Sequence, residues 1–242
     1  MAKPTNTSET HTTFNNLLSS KINTISWNEW LINHKKRFNP TENQQRFLNY
    51  IESTTITICY GVSGSGKTLM SCWKALDMLM NNRIKRIIVT RPIVECGEKL
   101  GFLPGSFEEK INPYMLPITD YFGDFLGKKE LEKFIKEGII EMVPIALIRG
   151  RNFHNAFVIG DELQNCTYGQ LKCLLTRTGQ NCRMVLIGDV EQSDLILKKN
   201  EEIPFLTVIN KLYNKHPDIK ISYMTDEDIL RNELIKIIVK EL

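Results

Sequence analysis

The chain has 242 residues, 42% of them hydrophobic and 24% charged, with a formal net charge of +3. That is enough apolar material for one sizeable core, and the charge permits a nucleic-acid partner without demanding one. Six cysteines, Cys59, Cys72, Cys96, Cys166, Cys173 and Cys182, form no CxxC pair and have no histidine at a zinc-site spacing, so reduced and mostly buried thiols are expected.

In chain order, the opening "MAKPTNTSETHTTFNN" has no apolar core after its single lysine, so neither a secretory leader nor a membrane location is expected, and a cytoplasmic one is. Residues 1 to about 24 are rich in Thr, Asn and Ser and cannot offset the entropy of ordering themselves. "SWNEWLINHKKRF" predicts a short amphipathic helix, with Ser26 as N-cap and Trp27, Trp30 and Leu31 on one face. Its basic run, Lys35-Lys36-Arg37, reads as a solvated face. Residues 1–38 are thus expected to be a mobile tail with a short helix, followed by one domain over 39–242.

From Thr41 onward, helical segments alternate with short β-branched runs: 54–60, 86–90, 156–160, 183–188 and 219–224. Such runs indicate parallel strands covered on both faces by crossover helices, hence a three-layer α/β domain with a mainly parallel sheet. The expected strand order is 5-1-4-3-2. Between the second and third strands, residues 91–155 are too many for a plain crossover, and they predict a helix over 119–137 and a strand over 139–143. The longest apolar stretch, 139–148, is interrupted by Glu141 and Pro144 and is about half a membrane span.

After the first strand comes a loop made of Gly61, Val62, Ser63, Gly64, Ser65, Gly66, Lys67 and Thr68, which matches GxxxxGK[ST] and opens a helix. Glycines let successive N–H groups turn inward on phosphate oxygens, and the helix N-terminus adds partial positive charge. Lys67 is expected on the β- and γ-phosphates and Thr68 on Mg²⁺. "AFVIGDELQN" is a strand ending in an acidic pair. Asp161 is expected to hold the metal and Glu162 to polarise the attacking water. "RMVLIGDVEQSDL" follows, and its Gln192 is expected to face the γ-phosphate from the strand between the other two. No NKxD stretch reads guanine, so ATP is the expected nucleotide.

Four stretches, 90–117, 140–165, 174–195 and 226–239, together with these motifs resemble the PhoH family of P-loop ATPases, related to the N-terminal RecA-like half of superfamily 1 helicases. Two departures stand out: Ser63-Gly64-Ser65 replaces the more usual alanine-glycine-threonine, and Gly160 precedes Asp161 where a bulky aliphatic residue is usual. The resemblance implies an ATPase acting with RNA or other nucleic acid. It also implies that Gln44 reads the adenine edge, with Gln45 a near alternative and a solvated helix-start glutamine the plainer reading.

Arg177 and Arg231 are candidate arginine fingers. One RecA-like domain leaves a side of its γ-phosphate open, so a homo-oligomeric ring, most simply a hexamer, would supply one of them in trans; a surface ion pair is the alternative for each. Arg91, Arg149 and Arg151 suit phosphate or a nucleic-acid backbone, and equally suit salt bridges to the insertion's glutamates. The combined expectation is an ATP- and Mg²⁺-dependent ATPase stimulated by single-stranded nucleic acid, RNA favoured. A P-loop small-molecule kinase and a non-hydrolysing nucleotide switch or scaffold are the alternatives.

Overall fold

Helix α1 (Glu42–Ser53) starts on a reciprocal cap: the Thr41 hydroxyl accepts from the Gln44 N–H at 3.2 Å, and the Gln44 side-chain oxygen accepts from the Thr41 N–H at 3.0 Å. Such a cap satisfies donors that a helix start leaves orphaned and contributes about 1 kcal/mol. The computed structural model describes residues 39–93, 107–198 and 201–229. The tail and helix expected over 1–38, the run Lys35–Arg37, Cys96 and Arg231 lie outside them.

Six β-branched runs become strands: β1 (Ile56–Gly61), β2 (Arg86–Arg91), β3 (Ile140–Pro144), β4 (Ala156–Gly160), β5 (Cys182–Gly188) and β6 (Ile219–Met224). They form one sheet in the order β3-β2-β4-β5-β1-β6, and every pairing is parallel. The five strands read from the sequence keep the expected order 5-1-4-3-2. The insertion's strand β3 extends the sheet beyond β2, with Ile140 opposite Ile87.

Helices α2 (Lys67–Met80), α3 (Phe107–Leu126), α4 (Lys128–Lys136), α5 (Tyr168–Leu175) and α6 (Pro204–Leu212) cover the sheet. The single helix expected over 119–137 is corrected to two. Gly127, with φ +77°, takes a left-handed conformation that ends α3 and turns the chain into α4.

Side chains alternate across the strands, so two apolar layers form. Ile58, Val158, Met184 and Leu186 pack with Leu171 and Leu174 of α5 and with Phe205, Val208 and Ile209 of α6. Alternate residues such as Ile87, Val89, Phe157, Ile159 and Val185 are buried toward the other layer, where α1 and α2 lie. Each such side chain contributes about 1.5–3 kcal/mol by leaving water. Cys59, Cys72, Cys166 and Cys182 are free thiols buried in these layers, and Cys173 is partly buried.

Among the described residues, no helix is long and apolar enough to cross a membrane. Because all strands run the same way, their C-terminal ends gather at one end of the sheet. The loops that follow β1, β4 and β5 therefore meet there, as in open α/β sheets generally.

Candidate functional site

The loop after β1 is shaped by close backbone approaches. Gly61 has φ +124°, and a Cβ there would lie 2.0 Å from the Met224 carbonyl oxygen on the neighbouring β6, so only glycine fits. Ser65 is buried, and its hydroxyl donates to the Val62 carbonyl at 2.7 Å. Lys67, at the first turn of α2, curls back over the loop and donates to the Gly61 and Val62 carbonyls at 2.6 Å each and to Ser65 Oγ at 3.4 Å. Burial pushes its ammonium below the ordinary lysine value, against the attraction of Asp189, Glu162 and Asp161.

One residue on, the Thr68 hydroxyl donates to Asp161 Oδ1 at 3.1 Å. Two hard oxygens, one from the start of α2 and one from the end of β4, thus converge beside the loop. This donor set fits Mg²⁺, which takes one or two protein oxygens together with phosphate oxygens. Asp161 is buried, which raises its carboxyl to about 6, while Arg91 and the Thr68 hydrogen bond pull the other way.

Glu162 follows in a left-handed conformation, φ 54°, which turns the chain sharply at the end of β4. Its carboxylate is gripped from two sides. Gln164 Nε2 donates to Oε2 at 2.6 Å, and Arg91 Nη2 stands 3.5 Å from Oε1. Arg91, at the end of β2, also reaches within 4.0 Å of Asp161 Oδ2, and its Nη1 donates to the Tyr114 carbonyl of α3 at 2.6 Å. Salt bridging is therefore the use this structure makes of Arg91, with the acidic pair itself as partner. Arg151 likewise forms a fork on Glu141, at 2.6 and 2.7 Å, and Arg149 is exposed.

Asp189 follows β5 in a buried position, and its Oδ1 accepts from the Glu191 N–H at 3.1 Å. Gln192 closes the short turn Val190–Gln192, and its side chain is exposed. The structure thus gathers the phosphate loop, Thr68, Asp161 and Glu162 at the same end of the sheet as the β5 turn that carries Gln192.

Gln44 also lies against the loop, but its amide is fully engaged by protein. Nε2 donates to the Ser65 carbonyl at 2.9 Å and to the Asp228 carbonyl at 3.0 Å, while the side-chain oxygen holds the helix cap. It is buried, so the solvated reading does not hold. Gln45 is exposed and its amide donates to Asn49 Oδ1 at 2.9 Å. Asp228 in turn accepts from the Thr41 hydroxyl, from Asn43 Nδ2 at 2.9 Å and from the Thr225 N–H at 2.7 Å.

Arg177 lies before β5, at the end of the sheet opposite the phosphate loop. It donates to the Cys173 and Arg151 carbonyls and to Thr176 Oγ1, at 3.2 Å in each case. Sequence reasoning missed Gln164 and Asp228. The signal for Gln164 was an amide two residues after an acidic pair, which carries meaning only once the turn is known.

The family model described as PhoH-like protein matches residues 38–242. A PhoH-like protein of Synechocystis is 38% identical over 200 residues, covering 83% of this chain and 60% of that protein. One of Bacillus subtilis is also 38% identical over 200 residues, covering 83% of this chain and 62% of its own length. The chain therefore spans about three fifths of these relatives. Among solved structures, the large terminase of a thermophilic bacteriophage superposes with a TM-score of 0.50 at 12% identity, over 81% of this chain and 48% of that one, a likeness of fold alone. With a model matching from residue 38 to the C-terminus and relatives near two fifths identical, the chain belongs to the PhoH family.

Proposed function

We propose that this protein binds ATP with Mg²⁺ and hydrolyses it, coupling hydrolysis to single-stranded nucleic acid, RNA in the first place. The observation that carries the reading is the convergence of Thr68 and Asp161, 3.1 Å apart, beside a phosphate loop and next to a carboxylate held by Arg91 and Gln164. When bound, the metal would neutralise charge on the β- and γ-phosphate oxygens, with Thr68 and Asp161 as its protein ligands. Lys67 would exchange its bonds to the Gly61 and Val62 carbonyls for phosphate oxygens, a small movement for a side chain already at the loop.

Glu162 would take the proton of the attacking water, and Gln192 would hydrogen-bond the γ-phosphate or that water. The nucleic-acid coupling is supported by membership of the PhoH family and by its relation to helicase cores. A hexameric ring is the assembly we propose, with Arg231 as the arginine supplied across the interface, since Arg177 is engaged within its own subunit.

Phosphate release tests the reading, measured for the native chain and for Glu162→Gln, with and without single-stranded RNA at two salt concentrations. Loss of the base is expected to lower the rate about 10²- to 10⁴-fold. Stimulation by RNA is expected to weaken at the higher salt, because phosphate contacts release counterions. Unchanged release by Glu162→Gln would remove the hydrolytic role of this residue.

A further inference from the structure

Gln164 is a polar side chain at the site that the hydrolytic scheme leaves without a task, and it is only 1% exposed. The left-handed Glu162 sends the chain into the single turn Leu163–Asn165, and this brings the Gln164 amide back to the Glu162 carboxylate. A non-glycine residue holds that conformation only where its surroundings over-determine it.

The amide has three partners. Nε2 donates to Glu162 Oε2 at 2.6 Å and reaches the Gln192 carbonyl at 3.4 Å, while Oε1 accepts the Asp189 N–H at 3.1 Å. One planar group thus joins the carboxylate at the end of β4 to the turn after β5. Gly188 makes the approach possible, since a Cβ there would lie 2.9 Å from Gln164 Oε1 and 2.8 Å from Phe205. The adjoining backbone is tied to the same turn. Ser193 Oγ donates to the Gln164 carbonyl at 3.1 Å, and Asn165 and Asp194 exchange two bonds of 3.1 and 2.7 Å.

We propose that Gln164 is a positioning residue for hydrolysis: it aims the Glu162 carboxylate and sets that aim by the position of the Asp189–Gln192 turn. The proposal rests on the hydrolytic role given to Glu162. An amide suits the task because it donates to a carboxylate and accepts a backbone N–H without adding charge beside Asp161, Arg91 and Lys67. Ionised glutamate in its place cannot donate and repels Glu162. Leucine keeps the volume and loses both bonds. In either case Arg91, 3.5 Å away on the other oxygen, is left to hold the carboxylate.

The test uses Gln164→Leu and the isosteric Gln164→Glu in the full chain, each also made in a Glu162→Gln background. We expect kcat to fall about 10- to 100-fold, while KM and the directly measured Kd of a fluorescent ATP analogue stay within about twofold. A crystal structure of the nucleotide-free variant should show the Glu162 carboxylate displaced. Adding either substitution to Glu162→Gln should cost nothing further, because both act through one group. Equal losses in the two backgrounds, or an undisplaced carboxylate, would mean a merely structural glutamine and overturn the proposal. If Gln164→Leu does not fold, Gln164→Glu carries the same comparison. Full activity of Glu162→Gln itself would end the hydrolytic reading and this proposal together, whereas a large loss there with unaltered kcat in the Gln164 variants would end the positioning role alone.

Discussion

Both N–H donors of the Gln44 amide are engaged, by the carbonyls of Ser65 and Asp228, and its oxygen takes the Thr41 N–H. A side chain so occupied braces the phosphate loop from behind and has no donor left to tell adenine from guanine. Reading a base would strand buried carbonyls at a cost of about 1–3 kcal/mol. Gln44→Ala is therefore expected to weaken ATP and GTP alike, about five- to tenfold in Kd, from loosening of the loop. Titrations with both nucleotides check this, and a loss confined to ATP would establish base reading instead. Lys67, by contrast, bonds to Gly61, Val62 and Ser65, all within six residues of chain, so the motif shows its place. The Gln44–Asp228 bond joins residues 184 apart, so only the fold shows it.

At the level of elements, β4 ends in Gly160, and the packing accounts for a residue without a side chain there. A Cβ there would meet Leu163 and Leu174 at 3.0 Å and Leu186 at 3.1 Å, so three leucines already fill the space. Gly160→Val is expected to destabilise the fold by about 1–3 kcal/mol through overpacking. Equilibrium urea unfolding measures it, and an unchanged midpoint would mean the leucines repack without cost.

Helix α1 is tied to α2 and the turn beyond it by Glu52, which pairs with Lys74 at 2.6 Å and Arg83 at 2.5 Å. The Arg83 hydrogen bond, opposed by burial and aided by Lys74, lowers the Glu52 carboxyl from 4.5 to about 2. A carboxyl depressed in the folded state stabilises above its unfolded value, and that contribution is lost as pH falls from 4.5 through about 2. The side chain is 44% exposed, so solvent screening keeps the effect small. Glu52→Gln should then cost up to about 1 kcal/mol at neutral pH and progressively less on acidification, as read from urea midpoints across that window.

For the whole molecule, the parallel sheet puts the phosphate loop, the acidic pair and the β5 turn at one end and leaves Arg177 at the other. An arginine for the open side of the γ-phosphate would thus come from a neighbouring subunit, with Arg231 the proposed source. Mixing Lys67→Ala subunits with Arg231→Ala subunits should recover part of the ATPase rate, since some interfaces would combine an intact loop with an intact arginine. Arg177→Ala should instead lower stability and give no such recovery. No rescue in the Arg231 mixture, together with a monomer by light scattering, would overturn the ring.

Legible in the sequence was what depends on residues close along the chain, namely the phosphate loop, the acidic pair at a strand end and the five strands, and, through the long resemblance, the family. The split of the insertion helix at Gly127 was not legible, because its apolar pattern runs on through the glycine that turns it. Only the tertiary structure decided that Gln164 joins Glu162 to Asp189, that Arg91 faces the acidic pair, and that Gln44 braces the loop. The physical reason is that these groups meet through the strand order and the direction of each side chain. Neither the distance across a sheet nor the aim of an amide is written in a linear pattern of residue types.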